Sequence, residues 1–233
     1  MKNILMILTS HEDMENTDSK TGVWLGEFTD PYYEFIDQGY SVVLASVAGG
    51  KPPVDPLSTL TENITASNRR FLNDKIAEMA FEDTRVLEDL NLATFDAVFY
   101  PGGHGPIWDL AVNTTSGNII LQFLDSGRPV AAVCHGPAAL IAAATIRPGL
   151  LAGRKVVSFT NAEEVLTFRA DNVPYKLETR LKELGADFHS ALVPFIPHVE
   201  VDGLLITGQN PASAGPTAKA LIEKLEAQTV SLH

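Results

Sequence analysis

The chain has a single cysteine, Cys134, among its 233 residues. One thiol cannot close an internal disulfide, so the core must hold the fold together, and the pattern fits a reducing, cytoplasmic compartment. Positive charge is also scarce. The 17 Lys and Arg stand against 29 Asp and Glu, a net charge of −12. Phosphate backbones are bound by clustered cations, so no nucleic-acid partner is expected. No segment approaches the ~20 apolar residues that span a bilayer, so no membrane partner is expected either. The opening apolar run stops at Thr9 and acidic residues follow. A signal peptide needs a longer run and a small-residue cleavage site, so residues 3–8 read as a buried first strand. His11, His189 and His198 are scattered and lack metal-ligand spacing, so neither metal nor cofactor is expected. Internal repeats, low-complexity tracts and linkers are missing too. The expectation is one domain, 1–233, with helical insertions near 51–80 and 162–185.

What the chain does have is a globular balance, 45% hydrophobic and 20% charged residues. Short apolar runs at 4–8, 41–46, 97–100, 130–133 and 155–159 are nearly continuous, as in strands buried on both faces of a parallel sheet. Amphipathic stretches at 24–38, 116–126, 137–143 and 175–184 alternate with them. This β-α-β-α order predicts an α/β fold with helices on both faces of the sheet. Residues 198–201 and 204–207 read as a hairpin turning at Asp202-Gly203, and 212–227 as the closing helix. Prolines and glycines make 49–58 a loop.

The segment Val130-Ala-Ala-Val-Cys-His-Gly-Pro runs a strand directly into a helix start, where Pro137 is favoured. Cys134 therefore sits on a sharp turn whose small flanking residues, Ala132 and Gly136, let the backbone fold tightly, as in the nucleophile elbow of hydrolases. A helix N-terminus favours the thiolate, the reactive form. The His135 N–H is free to face an oxyanion. A buried cysteine ending a core strand is the bland alternative. Pro101-Gly-Gly-His-Gly follows another strand, either as an ordinary turn or as backbone N–H groups brought close to a ligand. Glu27 lies among apolar and aromatic neighbours. If buried beside Cys134, it should hold its proton and serve as a hydrogen-bond donor or proton carrier. In Thr160-Asn-Ala-Glu-Glu, an acid could orient His135, or the pair could simply cap a helix.

Taken together, Pro101-Gly-Gly-His-Gly, Ala132-Val-Cys-His-Gly-Pro, Thr21-Gly-x-Trp-x-x-Glu and Gly208-Gln-Asn-Pro-Ala-Ser-Ala resemble the ThiJ/PfpI superfamily, relatives of class I glutamine amidotransferases. The first and last of these along the chain resemble most the branch of heat-shock chaperones with glutathione-independent glyoxalase III activity. The resemblance implies a flavodoxin-like three-layer sandwich with a mainly parallel central sheet, and a homodimer. It also implies site roles: Cys134 as nucleophile, His135 as its partner, Glu27 as the acid touching the cysteine, and Glu164, with its neighbour Glu163 as the alternative, as third triad member. Gly103 and His135 would supply the oxyanion-hole N–H groups, Gly102, His104 and Trp24 would serve that hole or bind substrate, and Trp24, Phe28 and His104 would shape the pocket.

The function implied is a lyase-type conversion of methylglyoxal, a small-molecule aldehyde, to a 2-hydroxy acid through a Cys134 hemithioacetal. Two rivals stand beside it. One is cysteine amidase or peptidase chemistry, since a Cys-His-Glu set also serves acyl transfer. The other is a stress-response holdase or redox sensor oxidised at Cys134.

Overall fold

The computed structural model describes residues 2–15 and 17–230. Strand β1 (Asn3–Leu8), helix α1 (Leu25–Asp37) and strand β2 (Ser41–Ser46) open the chain. Helices α2 (Ala66–Phe71) and α3 (Lys75–Glu82) lead to β3 (Arg85–Val86). Then come β4 (Ala97–Tyr100), α4 (Thr114–Asp125), β5 (Val130–Val133) and α5 (Ala139–Ile146). After β6 (Lys155–Val156), α6 (Asn161–Leu166), α7 (Leu177–Glu183) and β7 (Asp187–Phe188), the hairpin β8 (Val199–Asp202) and β9 (Leu205–Gly208) precedes the last helix, α8 (Ala214–Val230).

The main sheet has the order β3-β2-β1-β4-β5-β9-β8. Every pairing is parallel except β8 with β9. This is an α/β three-layer arrangement. In β1, Leu5 and Ile7 face the core packed by α4 and α5, while Ile4, Met6 and Leu8 face the core packed by α1, α3 and α8. Strands β4 and β5 divide in the same way, Val98 and Val130 to one side, Phe99 and Ala131 to the other. Both faces are covered, which is why these strands read as unbroken apolar runs rather than alternating ones. Strand order reverses between β1 and β4, and the crevice beyond their carboxyl ends is where open α/β sheets bind ligands. Among the described residues, no helix is long and apolar enough to cross a membrane.

Two expectations need correction. Residues 155–159 do not form a strand of the main sheet. Only Lys155–Val156 enters a ladder, with β7 in a separate two-stranded sheet. Beyond it, Val157 N–H donates to Thr207 Oγ1 (2.9 Å) and Phe159 N–H to the Cys134 carbonyl (2.9 Å). The segment is buried beside β5 and β9 without continuing a ladder, because β8 occupies the antiparallel edge of β9. The hairpin is also displaced by one residue: Asp202 pairs with Leu205, so the turn is Gly203-Leu204, with Gly203 at φ +62°.

Candidate active site

Cys134 follows β5 directly and adopts φ +59°, the left-handed region. For a residue with a Cβ this costs about 1–2 kcal/mol, and the surrounding structure sustains it. Its N–H donates to the Gly208 carbonyl and its own carbonyl accepts from Phe159, both at 2.9 Å. A Cβ at Gly136 would collide with the Tyr100 carbonyl, so the elbow requires glycine there. A 3₁₀ turn, Gly136–Ala138, then leads into α5. The sulfur is almost wholly buried. Burial, and then the neighbouring Glu27, push the thiol's pKa well above its ordinary value, with Glu163 and Glu164 adding to the effect. The helix N-terminus alone therefore does not supply a resting thiolate. A proton acceptor is needed.

Glu27 lies in the first turn of α1. That turn is tied to the glycine loop after β4, because Trp24 N–H donates to the Gly102 carbonyl (3.1 Å) and Gly102 N–H donates to Glu27 Oε2 (2.9 Å). Glu27 is fully buried, and burial raises its pKa to about 8, against the lowering effect of the Cys134 side chain and the Gly102 N–H. Its buried Oε1 has no hydrogen-bond partner among the described residues. At neutral pH Glu27 is thus a protonated acid within reach of the thiol.

A chain of polar contacts runs from the other side of the thiol. His135 Nδ1 is 3.4 Å from Cys134 Sγ, and its Nε2 is 2.7 Å from Glu164 Oε2. Glu164 Oε1 is 2.7 Å from His104 Nε2. Burial would raise the Glu164 pKa, but the two histidines outweigh it and hold this carboxyl well below the usual carboxylate range. Burial, then His135, lower His104 to about 4. The sequence left two acids as candidates, and only Glu164 touches His135. Glu163 is occupied by five donors: Thr160 N–H and Oγ1, Phe195 N–H, and the side chains of Gln209 and Asn210. It closes the capping box of α6 with Thr160.

The Gly103 and His135 N–H groups donate to no partner among the described residues. Gly103 takes φ +95°, and a Cβ there would strike Gly22 and Trp24 backbone atoms. Gly102 differs from expectation: its N–H is spent on Glu27, so it is not free for an oxyanion. His104 lines the pocket but bonds to Glu164. Trp24 also lines it, whereas Phe28 does not. Phe28 is buried in an aromatic cluster with Tyr32, Phe71 and Phe81. The pocket measures about 610 Å³, with Cys134, His135 and Glu27 on its wall and Phe159, Phe195, Leu57 and Leu60 giving it an apolar lining.

Sequence reading missed Arg169, Asp55 and Phe195. Arg169 lines the pocket and bonds to both His104 and Asp55. No local motif marks it. The ligand atoms of His104, His135 and Glu164 lie within 4.8 Å of one another, a spacing able to hold an ion. Here, however, those nitrogens bond to the carboxylate itself.

Residues 20–224 match the model of the DJ-1/PfpI family. The glutathione-independent glyoxalase hsp3101 of Schizosaccharomyces pombe is 31% identical over 94% of this chain and 94% of its own. Among solved structures, the Rapid Encystment Protein 24 KDa of Francisella tularensis is 37% identical with TM-score 0.91, covering 97% of this chain and 99% of its own. Glyoxalase III of Candida albicans is 26% identical with TM-score 0.84, covering 96% and 97%.

Proposed function

The chain belongs to the DJ-1/PfpI family, and on that premise we propose that it is a cysteine-dependent, glutathione-independent glyoxalase, a lyase converting methylglyoxal and related 2-oxoaldehydes to 2-hydroxy acids. The observation that carries this reading is Glu27. A buried, protonated carboxyl beside the sulfur, in addition to His135, supplies the second proton carrier that an internal redox shift between two carbons needs. Simple acyl transfer needs only the Cys-His-acid chain. The relatives named glyoxalase support the same choice.

In this mechanism His135 Nδ1 takes the thiol proton, and Glu164 stabilises the resulting imidazolium. Cys134 sulfur attacks the aldehyde carbon, forming the C–S bond of a hemithioacetal, and Glu27 gives its proton to the new alkoxide. Glu27, now a carboxylate, takes the hydrogen of that carbon, and an enediolate forms. It returns the proton to the adjacent carbon while the hydroxyl proton moves to the neighbouring oxygen. The product is the thioester of a 2-hydroxy acid, with one carbon oxidised, the next reduced and no external electrons. Water then attacks the thioester, and the Glu27 carboxylate takes the proton that the water loses, which restores the acid. The tetrahedral oxyanion is held by the Gly103 and His135 N–H groups. Collapse breaks the C–S bond, and His135 returns the proton to the sulfur. The sum is one water added. The pocket has ample room for a short, uncharged 2-oxoaldehyde, with apolar side chains over much of its lining.

Proton NMR of purified protein with methylglyoxal and no added thiol tests the reading. Lactate should appear mole for mole as methylglyoxal disappears. Turnover only when glutathione is added would overturn the proposal, and amide hydrolysis without any lactate would assign the site to acyl transfer instead.

A further inference from the structure

We propose that Arg169, held by Asp55, is a positioning residue that fixes where the protons of the active site lie. By donating to His104 Nδ1, it keeps a proton off that nitrogen and holds the His104 N–H on Nε2 against Glu164. The other oxygen of Glu164 takes the Nε2–H of His135 and so leaves His135 Nδ1 as an acceptor facing the Cys134 thiol. The inference rests on the Cys134 chemistry proposed above, but not on the identity of the substrate.

The argument follows from what each group is able to do. A guanidinium has donors only. Arg169 Nη1 lies 3.1 Å from His104 Nδ1, so that ring nitrogen accepts. The single N–H of a neutral ring must then be on Nε2, which faces Glu164 Oε1 at 2.7 Å. An ionised carboxylate has acceptors only. Its other oxygen, 2.7 Å from His135 Nε2, therefore calls for an N–H there too. That leaves the lone pair of His135 on Nδ1, 3.4 Å from the sulfur. The opposite arrangement would set Arg169 N–H against His104 N–H and a ring lone pair against a carboxylate. His104 is kept neutral by burial first and then by His135, with Arg169 acting in the same sense. The groups facing its ring are Glu164, Arg169 and the His135 ring, whose centroid is 4.1 Å away, with the edge of Phe159 beyond.

The backbone holds the arginine in place. Thr160 and Glu163 form the capping box at the start of α6, which carries Glu164 in its first turn. The helix ends in a Schellman motif, in which Phe168 N–H donates to Val165 (3.1 Å) and Arg169 N–H to the Glu164 carbonyl (3.3 Å). The left-handed position of such a motif usually holds glycine. Here it is Phe168, at φ +58° and 91% exposed, so its side chain adds little to the core in return for the strain. What the turn achieves is to bring Arg169 to the pocket wall, where its guanidinium reaches His104. The same guanidinium nitrogen, Arg169 Nη1, also donates to Asp55 Oδ2 at 2.8 Å. Asp55 is fully buried, and its oxygens also accept from Thr21 Oγ1 (3.1 Å) and Leu57 N–H (3.0 Å). This gives Thr21, in the segment Thr21-Gly-x-Trp, a purpose that the reaction steps alone do not.

The test uses the full chain labelled with ¹⁵N-histidine. Long-range ¹H–¹⁵N spectra should show the Nε2–H tautomer for His104 and His135. Arg169→Met frees His104 Nδ1 to take a second proton, so His104 should show the doubly protonated pattern at a pH where the wild type keeps the neutral Nε2–H form. Alkylation of Cys134 by iodoacetamide at pH 7 should slow at least tenfold. The substitution should also move the acid limb of the alkylation pH profile upward. Arg169→Lys, which retains a donor, should recover most of the rate. An Nδ1–H tautomer at His104 in the wild type would overturn the proposal, as would an Arg169→Met protein with unchanged spectra and alkylation. So would a lysine variant as slow as methionine, because packing rather than donation would then be the cause. If Arg169→Met fails to fold, the wild-type spectrum and the lysine variant decide. Alkylation uses no 2-oxoaldehyde, so a correct relay with no lactate formed would sink only the glyoxalase reading.

Discussion

Replacing Glu27 with glutamine should make the protein more stable, and increasingly so as the pH rises. An unfolded glutamate titrates near 4.5, whereas the buried one titrates near 8. Between those values the unfolded chain has released this proton and the folded chain retains it. The folded state binds more protons, so wild-type stability is lost as the pH rises through that window. At about 1.4 kcal/mol per pH unit, the loss amounts to about 3 kcal/mol between pH 4.5 and pH 7 and levels off near about 5 kcal/mol above pH 8. Glutamine has nearly the same shape, and its carbonyl can still accept from Gly102 N–H. Its burial cost does not vary with pH. Urea denaturation of both proteins from pH 4.5 to 8 measures the difference directly. The stability gap should widen by about 3 kcal/mol by pH 7, while the variant loses turnover. A gap that stays constant across the range would mean that Glu27 titrates like an exposed carboxylate and carries no proton to the site.

Two further substitutions probe α6. Phe168→Gly relieves a left-handed backbone at an exposed side chain and should raise stability by about 1 kcal/mol in thermal unfolding. Thr160→Val removes the cap and a donor to Glu163, and should cost about 1–2 kcal/mol. It should also slow Cys134 alkylation, because Glu164 sits in the turn that the cap secures.

The parallel sheet was legible because β1, β4 and β5 are buried on both faces and so read as apolar runs. The same signal misled at 155–159. Residues 156–159 are just as buried, but Val157 bonds to a threonine side chain and Phe159 to the elbow rather than to a ladder. Burial leaves a mark in the sequence, and hydrogen-bond partners do not. Strands β3 and β7 are two residues each, too short to show a period. At the site, the elbow was legible because its turn needs small residues and a helix-starting proline next to one another. The choice between Glu163 and Glu164 was not, since both are buried acids and only their partners tell them apart. Arg169 and Asp55 are 114 positions apart, and neither stands in a local motif that would mark it. The spent N–H of Gly102 was equally hidden, because it depends on where α1 places Glu27.

The central claim is that the Cys134 sulfur itself attacks the aldehyde. Cys134→Ser keeps the size and polarity of the side chain while replacing the nucleophile. Methylglyoxal consumption by the two purified proteins, at matched concentration and without added thiol, is the decisive measurement. The account predicts lactate from the wild type and a rate lower by about 10³-fold or more in the variant, on the scale of losing an activated nucleophile. Equal rates would contradict it.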